Sequence, residues 1–327
     1  MKFLARSTAL LIGLASAFAF AGGTALWLFI GGPESEAALA AERSPAAVSS
    51  PETAAGKPIR LAMSAAYVSE LGTGVYSRIS SYLTEKTGVQ IEFVTGLAYG
   101  TINSMLEEGT VQSGFICGLP YVMLHDTPQP AVHLVAAPVM KIARYQGKPQ
   151  YFSDLIVRKD SPYKTIHDLK GRTYAYNDEI SHAGYNQPRY RMLELGLTQG
   201  FFGKVLRSGS HEESIRMVAT GKADASFVDS LVLDYDREKG IGHAHEVRVL
   251  ESSGPSTPGP LVASSQLPVE LRNKLQQALV TMHEDPEGRK LLDEALLERF
   301  VIVQDSAYDD IRAMKDAAEK AGFTVIR

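Results

Sequence analysis

The run "YFSDLIVRKDSPYKTIHDLKGRTYAYNDEISHAGYNQP", Tyr151 to Pro188, holds the fold in miniature. "YFSDLIVRKD" reads as a strand, and "YKTIHDLKGRTYAY" as a short helix followed by a second strand. A further helix then starts near Ser181 with a proline in its first turn. It opens on Ser181, His182, Ala183 and Gly184, with no large apolar side chain among them. The first N–H groups of a helix lack intrahelical partners and carry the positive end of the macrodipole. Small residues there let an anion reach the backbone, which makes the stretch a candidate oxyanion seat; the plain alternative is an N-cap by Ser181.

The same alternation runs through the chain. "IRLAMS" (Ile59–Ser64) reads as a first strand, and a helix is expected from Thr73 to Thr87, stopped by Gly88. "VQIEFVTG" alternates as a strand, "TINSMLEEG" has helical spacing, and "SGFICGLPYVML" begins as a buried strand that breaks at Gly118 and Pro120. Strands and helices in turn predict an α/β class with mainly parallel pairing. Two stretches look like hinges, "RYQGKPQY" (144–151) and "ESSGPSTPGP" (Glu251–Pro260). They predict two lobes, one from residues 58–148 with 250–327 and one from 149–249, with a ligand cleft between them.

Net charge is −4, from 33 basic and 37 acidic residues, with no basic stripe to track a nucleic-acid backbone. After Lys2 and Arg6 the chain carries no charge until past Ile30. That run fits either a cleaved export signal or a retained anchor, assigned to residues 1–32, and both place the body outside the cytoplasm. The Ala-, Ser-, Glu- and Pro-rich tract over 33–57 reads as a disordered linker. Cys117 is the sole cysteine, so no intramolecular disulfide forms, and a small buried hydrophobe is its default role.

"SGSHEES" repeats the polar helix start: Ser210 and Glu213 have capping-box spacing, and His211 lies between them. Tyr99 opens a third such helix. These starts hold no Lys or Arg and describe a site that grips oxyanions with dipoles and hydroxyls. No G-x-S-x-G elbow is present, and nothing in the spacing pairs Cys117 with His125 or His133 as a thiol dyad, so no catalytic residue is assigned. "HAHE" (His243–Glu246) reads as a solvated loop rather than a metal site.

"AYGTINSM", "GFICGLPYV", the Tyr151–Pro188 run, "SGSHEESIRMVATGKADASFVDS" and the proline-rich return strand together resemble the periplasmic phosphate/phosphite/phosphonate-binding proteins of ABC transporters. The resemblance implies a two-lobed type II periplasmic-binding fold with a central cleft. It implies a non-enzymatic, cofactor-free and monomeric receptor working with a transporter permease. The family's S-T-S-G seat falls on Ser181, His182, Ala183 and Gly184; its helix-opening tyrosine on Tyr99, its hinge tyrosine on Tyr151 and its histidine on His211. A carboxylate that holds the ligand's amine in some members falls near Asp229. This chain departs from the pattern where His182 and Ala183 replace two hydroxyls. The return segment "GPSTPGPLV" also lacks a second acid, so an aminoalkyl ligand is not the first expectation. The family also includes arsenite sensors that signal to a membrane histidine kinase through one cysteine. Cys117, in a loop that borders the cleft in this fold, makes that the alternative reading.

Overall fold

Five of the six residues of "IRLAMS" are buried, so both faces of this strand are covered, as in the interior of a parallel sheet. The computed structural model describes residues 57–64, 69 and 72–327, all within one unit, Ala54–Arg327. The expected export segment and, up to residue 56, the expected linker lie outside the described residues. No helix among the described residues is long and apolar enough to cross a membrane.

The chain first lays down β1 (Ile59–Ser64), α1 (Thr73–Thr87), β2 (Ile91–Leu97), α2 (Tyr99–Glu107), β3 (Ser113–Phe115), α3 (Gly118–His125) and β4 (Val132–Met140). It crosses over and continues with β5 (Tyr151–Arg158), β6 (Thr173–Tyr176), α4 (Gln187–Glu194), β7 (Lys204–Arg207), α5 (His211–Ala219), β8 (Ala225–Asp229), α6 (Ser230–Lys239) and β9 (Val247–Ser256). It returns through β10 (Leu261–Ser264), α7 (Val269–Val280), α8 (Pro286–Glu294), β11 (Leu297–Val301) and α9 (Asp309–Lys320).

Two sheets result, ordered β11-β4-β10-β3-β1-β2 and β7-β6-β8-β5-β9. Each contains a parallel trio, β2-β1-β3 and β7-β6-β8. The strand that follows each crossing, β10 or β5, enters beside that trio in the opposite direction. Only four of the nine pairings among the described residues are parallel, which corrects the mainly parallel expectation. A chain that passes between sheets and comes back must reverse somewhere, and local sequence pattern does not carry strand direction.

Other expectations are corrected as well. Gly118 and Pro120 start α3 rather than break the chain: Cys117 is its extended N-cap, and a proline in the first turn needs no intrahelical N–H. The return strand β9 stays with the second sheet to Ser256, beyond the expected boundary at 249. The C-terminal tail, expected with the first lobe, docks on the second. Phe323 and Ile326 pack with Tyr174, Phe202 and Phe227, and Tyr185 Oη donates to the Thr324 carbonyl at 3.3 Å.

The first crossing is pinned by Arg144. Its guanidinium meets both oxygens of fully buried Asp154 (2.9 and 3.0 Å) and Asp234 Oδ2 (3.0 Å), while Tyr145 Oη donates to Asp234 at 2.7 Å. Replacing Arg144 leaves two interior carboxylates without their cation. Arg144→Met is expected to lower the unfolding free energy by about 3–5 kcal/mol, read by urea titration. A loss below ~1 kcal/mol shows the network is not needed to hold the crossing.

Candidate functional site

The parallel strands of both sheets end where helices begin, and ligands in open α/β sheets sit outside the carboxyl ends of such strands. After β2, Tyr99 opens α2; after β3, Cys117 caps α3. After β6 come Asn177 and the Ser181 cap; after β7, Ser210 caps α5 with His211 as its first residue; and Asp229, the last residue of β8, caps α6. These helix starts meet in one cluster. Tyr99, Cys117, Tyr151, Ser181, His182, Ala183, Asp229 and His211 are each at most 4% exposed. All nine residues expected at the site fall here, Gly184 included, and the backbone of Gly184 is also buried.

The seat itself is a π-turn, His182–Asn186, that runs straight into α4. Such widened turns recur at functional sites. Ser181 is extended (φ −75°, ψ 133°), and its Oγ accepts the Gly184 N–H at 3.2 Å. The His182 N–H donates across to Cys117 Sγ at 3.3 Å, which joins the two sheets. A Cβ on Gly184 would stand 1.8 Å from Asn177 Oδ1 and 3.2 Å from His211 Cε1, so only glycine fits without displacing them.

The His182 ring is committed elsewhere. Nδ1 accepts from Asn186 Nδ2 (3.2 Å), which leaves the proton on Nε2, 3.1 Å from Ser256 Oγ; Ser256 in turn donates to Asp310 Oδ2 at 2.5 Å. The residue therefore serves the seat through its backbone, not its imidazole. The Ala183 carbonyl accepts from Ser153 Oγ at 2.5 Å, and its methyl lies in the core under the first sheet. His211 Nδ1 accepts the Asp229 N–H at 3.2 Å, and its Nε2 lies 3.2 Å from Asn177 Nδ2 and 3.5 Å from Ser181 Oγ. Asp229 Oδ1 accepts the Leu231 N–H at 2.8 Å, a capping bond.

Charge is nearly absent from the cluster. Burial lowers both His182 and His211 to about 3 and raises the Cys117 thiol to about 11. Burial also raises the Asp229 carboxyl well above the usual range, and Asp154 and Asp234 add to it. The Tyr99 and Tyr151 hydroxyls are raised for the same first reason. Cys117 is thus a protonated thiol engaged with a backbone amide. Nothing here arms it as a thiolate for a soft ligand.

Sequence reasoning missed Asn177, Asn186, Ser256 and Asp310. Asn177 is fully buried; one end of its amide lies 3.1 Å from Tyr99 Oη and the other end has no partner; Tyr151 Oη is likewise buried and unpartnered. Asn177 lay inside the quoted run, but its role depends on partners 78 and 34 residues away. Beside the cluster, a cavity of about 440 Å³ lies between Ser64 of β1, Thr95 of β2 and Ala98 on one side and Gly209, Ser210 and Glu212 at the start of α5 on the other. Among the described residues one acid–histidine group has metal-like spacing, His125, Asp126 and Asp305, but Arg312 already contacts both carboxylates (2.6–2.8 Å).

Two expectations follow. Gly184→Ala forces Asn177 and His211 aside and should lower ligand affinity at least tenfold while the fold persists, as read by calorimetry and circular dichroism; unchanged affinity would place the ligand elsewhere. His182 has an ordinary pKa near 6.5 when unfolded and about 3 when folded, so its contribution is full above 6.5 and lost as pH falls toward 3. Relative to His182→Gln, the wild type should lose up to ~1.4 kcal/mol per pH unit across that window in urea titrations. A pH-independent difference would mean that the ring is not held neutral.

The site's surroundings match known proteins. Residues 65–308 match the profile of a family described as "ABC transporter, phosphonate, periplasmic substrate-binding protein". The phosphonates-binding periplasmic protein of Escherichia coli is 28% identical over 153 residues, 45% of this chain; the match spans 45% of that relative's length. A binding-protein component of an ABC phosphonate transporter from Pseudomonas aeruginosa superposes with a TM-score of 0.73 at 21% identity, covering 81% of this chain and 88% of the other. PhnD1 of Prochlorococcus marinus, solved with methylphosphonate, gives 0.71 at 16% identity, covering 81% and 99%.

Proposed function

Because the chain belongs to the family of periplasmic substrate-binding proteins of phosphonate ABC transporters, we propose that it captures a small phosphonate-, phosphite- or phosphate-type oxyanion between its two sheets for an importer. We place it in the periplasm, as a receptor rather than an enzyme, delivering to a transporter permease. The observation that carries this is the meeting of helix starts from both sheets in one buried cluster of amides, hydroxyls and neutral rings. Oriented dipoles and N–H groups stabilise an anion without a cationic side chain. The binding set is Tyr99, Cys117, Tyr151, Ser181, His211, Asp229 and the 182–184 turn, whose His182 and Gly184 N–H groups now bond Cys117 Sγ and Ser181 Oγ and would exchange those acceptors for the anion.

The cluster also argues about the substituent. Burial disfavours the charged form of Asp229, and its Oδ1 is already engaged in capping α6, so it is a poor counter-ion for an ammonium group. A ligand bearing hydrogen, hydroxyl or methyl on phosphorus suits the site better than an aminoalkyl one. The arsenite reading finds no support in the matched family or in these relatives.

The test is isothermal calorimetry with methylphosphonate, phosphite, inorganic phosphate and 2-aminoethylphosphonate. At least one of the first three should bind with one-to-one stoichiometry, and the aminoalkyl compound at least ~tenfold more weakly. A body that binds none of the four is not this receptor.

A further inference from the structure

We infer that Asn177 is a direct ligand-binding residue whose side-chain NH₂ faces the seat and supplies an oxyanion donor. The inference rests on the proposed anion-binding role of the same cluster.

It follows from hydrogen-bond accounting around His211. The Asp229 N–H points at His211 Nδ1 (3.2 Å), so Nδ1 is the acceptor and the ring proton sits on Nε2. Burial holds this ring neutral, so it has only that one proton to give. Nε2–H lies 3.2 Å from the near end of the Asn177 amide, and the Tyr99 hydroxyl lies 3.1 Å from the same end. With nitrogen placed there, two N–H donors confront each other. The two ends of an amide are interchangeable in shape and are assigned from their partners. With oxygen placed there, one atom accepts both the His211 Nε2–H and the Tyr99 O–H, and both donors are satisfied.

The far end of the amide is then the NH₂ group. It is the end without a partner, in a side chain that is fully buried. It packs against Gly184, at the point where any Cβ would collide with it. Unpaired buried donors are costly, and one aimed at the start of the seat is answered by an oxygen of a bound anion. Asn177 also returns donors to a seat in which residues 182 and 183 carry no hydroxyl. By joining Tyr99 of the first sheet to His211 of the second, it registers the two halves around that oxygen.

The test compares wild type, Asn177→Asp and Asn177→Ala by calorimetry with methylphosphonate and inorganic phosphate, with melting curves run alongside. Asn177→Asp, of the same shape but without the donors, is expected to weaken binding about a hundredfold, and Asn177→Ala roughly tenfold. In ¹⁵N-labelled wild type, the Asn177 side-chain NH₂ signal should move downfield on addition of the anion, a change that a purely structural role does not produce. The NMR arm holds even if a variant fails to fold. An unmoved NH₂ signal, or an Asn177→Asp that binds within threefold of wild type, overturns the inference while leaving the receptor reading intact. A wild type that binds neither anion overturns both.

Discussion

Helix starts buried between two sheets impose the constraint on which this structure depends. Each start brings N–H groups that no residue of its own helix can satisfy, and a buried donor left alone costs about 1–3 kcal/mol. The chain answers most of them internally. Ser181, Ser210 and Asp229 each turn a side-chain oxygen back on their own helix, and Cys117 accepts the His182 N–H from the opposite half. Lysine and arginine are missing from the set, so the site stays near neutral. The same burial favours the uncharged forms of both histidines and of the aspartate. An anion entering such a place meets dipoles rather than a counter-charge, and its grip depends on how many donors can be aimed at it.

That arrangement couples the seat to the second crossing. From His182 Nε2 the bonds run through Ser256 Oγ to Asp310 Oδ2, that is, from the seat through the last residue of β9 to the start of α9. Asn186 adds a second tie, donating to the Ile311 carbonyl at 3.2 Å. The helix reached this way packs at its start against α3 through Ile311 and leads into the tail docked under the second sheet. The π-turn is thus tied by hydrogen bonds both to the strand that carries the chain back and to a helix that touches both halves.

Much of this was legible in the sequence, for reasons that differ by element. β1 and α1 read to the residue because an apolar run and Gly88, which adopts φ 69° at the helix end, are strong local signals. The helix starts at Tyr99, Ser181 and His211 were legible from small and capping residues. α3 was missed because glycine and proline were counted as breakers when their position made them starters. α6 was missed because it begins at the Asp229 cap that ends a strand, with no intervening turn to mark it. Strand direction, the path of the C-terminal tail and the partners of Asn177 are all set by residues far apart in the chain, and no window of sequence contains them.

The two replaced seat positions show why residue identity alone misjudges such a site. Read as side chains, His182 and Ala183 are losses, since a histidine and a methyl stand where hydroxyls would donate. In the fold, the imidazole points away into the Ser256–Asp310 chain, and the methyl fills core beneath the first sheet. What both positions supply to the turn is backbone, which substitution does not remove: the His182 N–H bonds Cys117 Sγ and the Ala183 carbonyl bonds Ser153 Oγ. On the proposed reading, selectivity moves from the seat's own side chains to the groups that surround it, Tyr99, Tyr151 and Asn177. These come from separate elements, and the Asn177–Tyr99 contact fixes two of them relative to each other. A cluster of this kind discriminates by the geometry of neutral donors, so the shape of the anion's oxygens decides more than its total charge.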